Sequence, residues 1–158
     1  MELIYNKHGR EVWFEQIQRP FSFCSPVAGR EFVLMLYQAV ETVSIDEFGL
    51  SNQFVEQGCR YAVCAGYECS KWDDAIDSAC VMAEIEGREL PFVTTTWIEN
   101  QPVEEAIEYF VRITEIDDRI PEHYVVVILG GDDEIARSIR SAVVSGFENE
   151  KHWRLDNV

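Results

Sequence analysis

Several side chains that could do chemistry lie close together between residues 69 and 77. Asp73 and Asp77 are four positions apart, which places both carboxylates on one face of a helix. Such a pair, with Asp74 beside it, could hold a divalent cation or a basic side chain, or act as a general acid and base. The simpler interpretation is that these carboxylates stabilise the start of a helix through its dipole. The sequence leaves both interpretations open.

Cys69 stands just before the start of the same predicted helix. A thiol at a helix N-terminus has a lowered pKa and could act as a nucleophile. The carboxylate of Glu68 opposes that shift, and no histidine lies nearby in the sequence. A buried, unreactive thiol is therefore the simpler expectation. The spacing of Cys59, Cys64 and Cys69 is not the CxxC spacing typical of zinc sites, so we predict no metal site.

A second set of candidates follows the predicted strands, because ligands of open α/β sheets bind outside the carboxyl ends of strands. Thr95, Thr96 and Trp97 could present hydroxyls and an indole there, although these residue types also suit a strand and a core. Asp132 follows a Gly-Gly pair that lacks the rest of a phosphate-binding motif, so we predict no nucleotide or other cofactor. The candidate strand-end site consists of Cys69, Ser70, Trp72, Thr95, Thr96, Trp97 and Asp132.

Four strand-like segments, each followed by a helix-like segment, position these residues. The strands are predicted at residues 31–37, 60–66, 92–97 and 123–129. Four βα units in series predict an α/β fold, with a mostly parallel sheet of about four core strands and helices on both faces, in three layers. We expect one domain over residues 1–158. It would comprise a hairpin-like extension (1–30), a βα core (31–146) and a polar tail (147–158).

Capping residues predict where the helices begin and end. Ser44 and Glu47 form a capping box, and Gly58 ends the helix that follows. Ser70 is the predicted N-cap of the second helix, and Asp132 is that of the last.

The charge of the chain is its most unusual property. Its 158 residues include 13 Lys and Arg against 29 Asp and Glu, a formal net charge of −16. Such a surface repels the phosphates of nucleic acids and anionic membranes, so both are excluded as partners. Residues 68–118 alone carry 14 acidic and three basic side chains. This segment is either a solvated surface or a docking surface for a basic protein. The predicted contacts are Asp73, Asp74, Asp77, Glu84, Glu104, Glu105 and Glu108.

The five cysteines and the N-terminal residues bear on the cellular compartment. An odd cysteine count without a signal-peptide pattern argues against a disulfide framework. No stretch reaches the 18 or so apolar residues that a membrane span needs. We therefore predict a cytoplasmic protein with reduced thiols.

The Cys-Ser-x-Trp-Asp-Asp motif at residues 69–74 and the Thr-Thr-Trp motif at residues 95–97 resemble those of a bacterial domain family of unknown function. The resemblance covers roughly residues 31–130. In that family a histidine tends to follow Thr-Thr-Trp, whereas this chain has Ile98, which argues against histidine-based chemistry. The resemblance implies the fold and the location of the site but supplies no mechanism. By composition alone, the chain also resembles acidic immunity proteins that neutralise basic toxins.

Three functional hypotheses follow. The first is an acidic protein-binding module, an immunity protein that blocks a basic toxin domain. The alternative is an enzyme or small-ligand-binding domain with its site at the carboxyl ends of the strands. The third is a subunit that self-associates through exposed aromatic residues such as Trp13 or Trp153.

Overall fold

A computed structural model describes the backbone of residues 1–155 and the side chains of residues 1–150. The strands are β1 (Glu2–Lys7), β2 (Arg10–Ile17), β3 (Phe32–Gln38), β4 (Cys59–Gly66), β5 (Thr94–Ile98) and β6 (His123–Leu129). The helices are α1 (Leu50–Glu56), α2 (Cys69–Ile85), α3 (Val103–Arg112) and α4 (Asp133–Leu155), with a short 3₁₀ helix, Ile45–Gly49, before α1. The predicted α/β class is therefore confirmed.

All six strands form one sheet in the order β1-β2-β6-β3-β4-β5. Every pairing is parallel except that of β1 with β2. The predicted hairpin exists, but it is part of the sheet, because β2 pairs with β6 along its length from Glu11 to Ile17. The sheet thus has two strands more than the four predicted for the core.

The apolar residues of the strands divide between two core clusters. Leu34 and Leu36 of β3 belong to the first cluster, which includes residues of α1 and α2. Val33 and Met35 belong to the second, which includes residues of α3 and α4. Because neighbouring residues of a strand point to opposite faces, α1 and α2 pack on one face of the sheet and α3 and α4 on the other. Strand β3 is buried on both faces, as its continuous apolar run predicts.

Helix α4 continues through Gly146, where the sequence indicated the start of a polar tail. An added Cβ at Gly146 would lie 3.2 Å from Val111 and 3.3 Å from Ile107. The glycine therefore allows α3 and α4 to pack closely, and it does not end the helix. The next residue, Phe147, is fully buried in the second cluster. Residues 147–155 are thus helical.

The N-terminal hairpin is fastened to α4 by a buried ion pair. The guanidinium of Arg10 contacts the carboxylate of Glu150, and both side chains are buried. The same guanidinium lies 4.7 Å from the ring centroids of Tyr124 and Phe147. It also donates a 3.0 Å hydrogen bond to the carbonyl of Val111. A buried cation needs such partners to offset the loss of hydration.

Candidate functional site

The turn between β4 and α2 positions most of the predicted site residues. Gly66 has a φ of +82°, and a Cβ on it would lie 2.3 Å from the carbonyl oxygen of Gln38. Only glycine can pass so close to β3 in that conformation. Glu68 then adopts a left-handed conformation, with φ of 52°, immediately before α2. The helix therefore begins at Cys69, one residue before the predicted N-cap Ser70, which is itself half-buried.

Three polar side chains fix this turn to the end of β3. The carboxylate of Glu68 accepts hydrogen bonds from Lys71 Nζ at 2.8 Å, from the Val43 amide at 3.2 Å and from Gln38 Nε2 at 3.4 Å. The hydrogen bond from Lys71 is the main cause that lowers the pKa of Glu68. Gln38 Oε1 in turn accepts a 2.6 Å hydrogen bond from Trp72 Nε1. Trp72 is fully buried, so its role is structural.

Cys69 is not placed to act as a nucleophile. Its side chain is buried, and Sγ lies 3.7 Å from the carbonyl oxygen of Ile98 as a weak donor. Burial raises the pKa of its thiol, and the nearby carboxylate of Glu99 raises it further. The pKa of this thiol is therefore raised, opposite to the shift that a helix N-terminus alone would cause, because loss of hydration outweighs the helix dipole. At neutral pH the thiol is protonated.

Asp73 lies on the buried face of α2, whereas the sequence assigned it to a contact surface. Its side chain is only 6% exposed, and within the part described Oδ1 has no hydrogen-bond partner. Burial is the main cause that raises the pKa of Asp73; the carboxylates of Asp77 and Asp74 add to this, and Thr95 opposes it. Asp77 is half-buried and accepts a 3.3 Å hydrogen bond from Thr95 Oγ1. Of the three aspartates, only Asp74 is exposed.

The remaining predicted contact residues are exposed but fall on two sides of the sheet. Glu84 lies on α2, and the other three lie on α3, which packs against the opposite face. Glu108 forms an ion pair with Arg112 at 3.1 Å. Glu104 and Glu108 border the groove between α3 and α4. The acidic residues predicted as one surface thus form two groups, one on each side of the sheet.

The candidate strand-end residues do not form one site either. Thr95 and Trp97 pair with Ala62 and Cys64, whose side chains belong to the first cluster, so both face α2. Thr96, between them, faces the opposite side of the sheet. Asp132 caps α4, since its Oδ1 accepts a 2.9 Å hydrogen bond from the Ile135 amide. This cap was predicted, and it accounts for Asp132 without a ligand.

A cleft of about 560 Å³ does lie at the carboxyl ends of β3, β4 and β5. Its walls include Tyr37, Tyr67, Glu68, Asn100 and Glu99. After β4 the chain passes to α2 on one face of the sheet, and after β5 it passes to α3 on the other face. The cleft opens between these two connections, which is where α/β sheets typically bind ligands. None of the seven strand-end candidates lines it. The overlooked signal was a tyrosine at the end of each of two neighbouring parallel strands.

The second crevice of this kind, between the ends of β3 and β6, is filled. A Cβ on Gly130 would lie 2.3 Å from a methyl carbon of Val40, and one on Gly131 would lie 2.8 Å from Ala39. Gln16 Nε2 lies 3.0 Å from each of three carbonyl oxygens in this loop, those of residues 130, 131 and 132. The Gly-Gly pair therefore accommodates close packing, and the place where a phosphate would bind is occupied by protein atoms.

The structure also shows how the potential metal ligands and the thiols are placed. Within the described residues, no group of three or more His, Cys, Asp or Glu side chains could hold a metal ion. All five cysteines are free, and Cys24 alone is exposed.

Trp13 is half-buried against the first cluster, and the side chain of Trp153 lies outside the described residues. In the described part of the chain, no helix has the length and apolar character needed to cross a membrane.

Comparisons with known proteins extend this description in one respect. Searches among curated proteins and among solved structures found no match. One protein family matches residues 16–145, a span from the end of β2 to the middle of α4 that includes the turn, both acidic groups and the cleft. The chain thus belongs to the family described as a domain of unknown function (DUF7684).

Proposed function

We propose that this domain is an acidic protein-binding module that recognises a basic protein partner by direct contact. The partner class that its composition favours is a basic toxin domain, which the module would neutralise as an immunity protein. The observation that supports this proposal is the distribution of ion pairs over the described residues.

Most of the basic side chains are already used within the molecule. Nine of them form ion pairs with carboxylates of the same chain: Lys7, Arg10, Arg19, Arg60, Lys71, Arg88, Arg112, Arg119 and Arg140. In contrast, Asp74 and Glu84 on α2 and Glu104 and Glu105 on α3 are exposed and make no ion pair with any described residue. We call these four residues the acidic surface; it has one group on α2 and a second group on α3, on the opposite face of the sheet. Their charge is therefore available to a partner from outside.

Exposed charges that lack an ion-pair partner change mainly the rate at which the protein associates with an oppositely charged partner. The summed field of clustered charges can accelerate the encounter with an oppositely charged protein by about 10–1000-fold at low ionic strength. The effect weakens with salt, because the Debye length falls to roughly 10 Å at 0.1 M. Rapid capture of a basic protein is what an inhibitor of a toxin requires.

The test has two stages. First, the protein is used to capture partners from the cells that make it, at low salt, and captured proteins are identified by mass spectrometry. Second, association with the identified partner is timed for wild type, for D74K/E84K/E105K and for the control E41K/D46K/E122K. The control changes the net charge equally at exposed acidic residues outside the acidic surface.

We expect association of the first variant to slow at least tenfold at low salt and to lose most of its salt dependence. The control should stay within about threefold of wild type. If both triple variants slow equally, only net charge matters and the acidic surface is not the contact. Protection of cells from the partner by co-expression would establish immunity in particular.

A second candidate function is favoured by the cleft. The cleft has a volume of about 560 Å³, and Tyr37 and Tyr67 line it. Concave sites of this size with aromatic walls are typical of proteins that bind small organic ligands. A screen of small molecules by ligand-observed NMR tests this candidate. Hits that bind wild type and are lost in Tyr67→Ala, whose side chain is exposed at the cleft, would support it. Hits that persist in that variant bind elsewhere and would remove the cleft as a site.

A further inference from the structure

The two edges of the sheet are protected very differently. The edge strand β1 carries the charged residues Glu2 and Lys7, and its pairing with β2 is interrupted between Leu3 and Tyr5. Glu2 is paired with Arg140, and Lys7 with Glu148, both on α4. Charged residues and irregular pairing are the usual features that prevent an edge strand from pairing with another chain.

The opposite edge strand, β5, has none of these features. Its sequence, Thr-Thr-Thr-Trp-Ile, contains no charged residue and no proline and consists of residue types that favour strands. Strand β5 pairs with β4, and within residues 1–155 no strand pairs with its outer edge. Thr94 and Trp97 are exposed, and the other three residues are half-buried. An open edge of this composition is a template for an additional strand.

The surroundings of β5 indicate what kind of strand it would accept. Helix α2 flanks it on one face and α3 on the other, so the two groups of the acidic surface lie on either side of this edge. Glu99 follows the strand directly, and the side chains of Phe92 and Trp97 are 66% and 49% exposed. A second copy would bring two such acidic segments together, and their mutual repulsion opposes that pairing. Charge complementarity instead favours a basic strand with apolar residues on alternate positions.

We propose that β5 accepts an extended, lysine- or arginine-rich strand of the partner, which pairs with its outer edge and extends the sheet. Main-chain hydrogen bonds would supply affinity, and the alternating side chains would supply specificity. Basic side chains would meet the acidic surface, and apolar ones would meet Trp97 and Phe92. This inference rests on the proposed function, since it specifies how the basic partner binds.

The experiment uses the full chain, isotope-labelled for NMR, and two synthetic peptides of alternating lysine and valine. One peptide has an ordinary backbone. The other is N-methylated at alternate residues along one edge, which removes the donors needed for strand pairing while its charge stays the same. Each peptide is titrated at low salt, and chemical-shift changes and amide exchange are followed residue by residue. Analytical ultracentrifugation of the protein alone reports self-association.

We expect the ordinary peptide to shift and protect amides of Thr94–Ile98 and to bind at least tenfold more tightly than the methylated one. Equal binding by both peptides would overturn strand pairing at β5 while leaving recognition of basic partners intact. Protection at β1 in place of β5 would overturn the choice of edge. Dimers of the protein alone with β5 protected would show that the occupant is a second copy. Absence of binding by either peptide would overturn both this inference and the proposed function.

Discussion

The indole nitrogen of Trp72 donates a 2.6 Å hydrogen bond to Oε1 of Gln38, and both side chains are fully buried. Trp72 completes the first turn of α2, and Gln38 ends β3. This bond therefore joins the helix that carries the first acidic group to the centre of the sheet. The same tryptophan packs on Phe48 with ring centroids 4.7 Å apart.

Replacing Gln38 by methionine should destabilise the protein by about 1–3 kcal/mol, because the buried indole N–H loses its acceptor. The loss of stability in the double variant Q38M/W72F should be smaller than the sum of the losses in the two single variants. The reason is that removing both partners leaves no unsatisfied donor. Urea denaturation of the four proteins completes the cycle. Additive costs would show that the bond contributes nothing beyond packing.

Gly66→Ala should destabilise the fold by at least ~2 kcal/mol, because it combines a left-handed conformation with a clash against the Gln38 carbonyl. Gly87→Ala is the matched control, since Gly87 has a φ of +73° but nothing within 4 Å of an added Cβ. Gly87→Ala should lose only the stability that the left-handed conformation costs an alanine, about 1 kcal/mol. Thermal unfolding of both variants measures the difference, and equal losses would mean that the close approach to β3 is not rigid.

Asp73→Asn should make the protein more stable at neutral pH. Burial raises the pKa of Asp73 in the folded state above its ordinary value of 3.8, so folding favours its neutral form. The stability contributed by this group is present below the unfolded pKa and falls as pH rises through the folded pKa. The advantage of the asparagine variant should therefore appear as pH rises and vanish near pH 3.

Urea denaturation at several pH values checks this dependence. The control is Asp74→Asn, which removes the same charge at an exposed neighbouring position. A gain of the same size in the control would assign the effect to net charge and not to burial.

The thiols should differ sharply in reactivity. Cys24 is exposed, whereas burial raises the pKa of Cys59, Cys64, Cys69 and Cys80. Because the thiolate is the reactive form, one thiol should react quickly with a disulfide reagent in the native protein and five in guanidinium chloride. Cys24→Ser should abolish the fast phase. A fast phase that survives in Cys24→Ser would show that one of the four buried thiols is reactive, and its loss in C24S/C69S would support the nucleophile hypothesis for Cys69.

Local patterns predicted the elements well. The capping box of Ser44 and Glu47 is present, although it begins a 3₁₀ helix that leads into α1. The apolar runs of β3, β4 and β6 lie within a residue or so of their predicted positions. Strand β5 begins at Thr94, two residues later than predicted, because Phe92 is exposed and precedes the pairing with β4.

The site was harder to predict because it depends on contacts between distant parts of the chain. Asp73 reads as a polar helix residue, and only the position of β5 beneath α2 shows that it is buried. Pairing of β2 with β6 brings together residues such as Glu11 and His123, which are 112 positions apart. No local periodicity carries that information. The charge of the chain, by contrast, was readable directly, and it remains the basis of the proposed function.

The place of β2 in the sheet has a consequence for synthesis of the protein. The ribosome releases the hairpin well before its parallel partner β6 and its ionic partner Glu150, which lies 140 positions after Arg10. Until then β2 lacks a parallel neighbour, and afterwards it shields one side of the most apolar strand. During synthesis the hairpin must therefore wait with one edge of β2 open until β6 emerges, and loss of residues 1–17 would leave β6 as an uncovered, aggregation-prone edge.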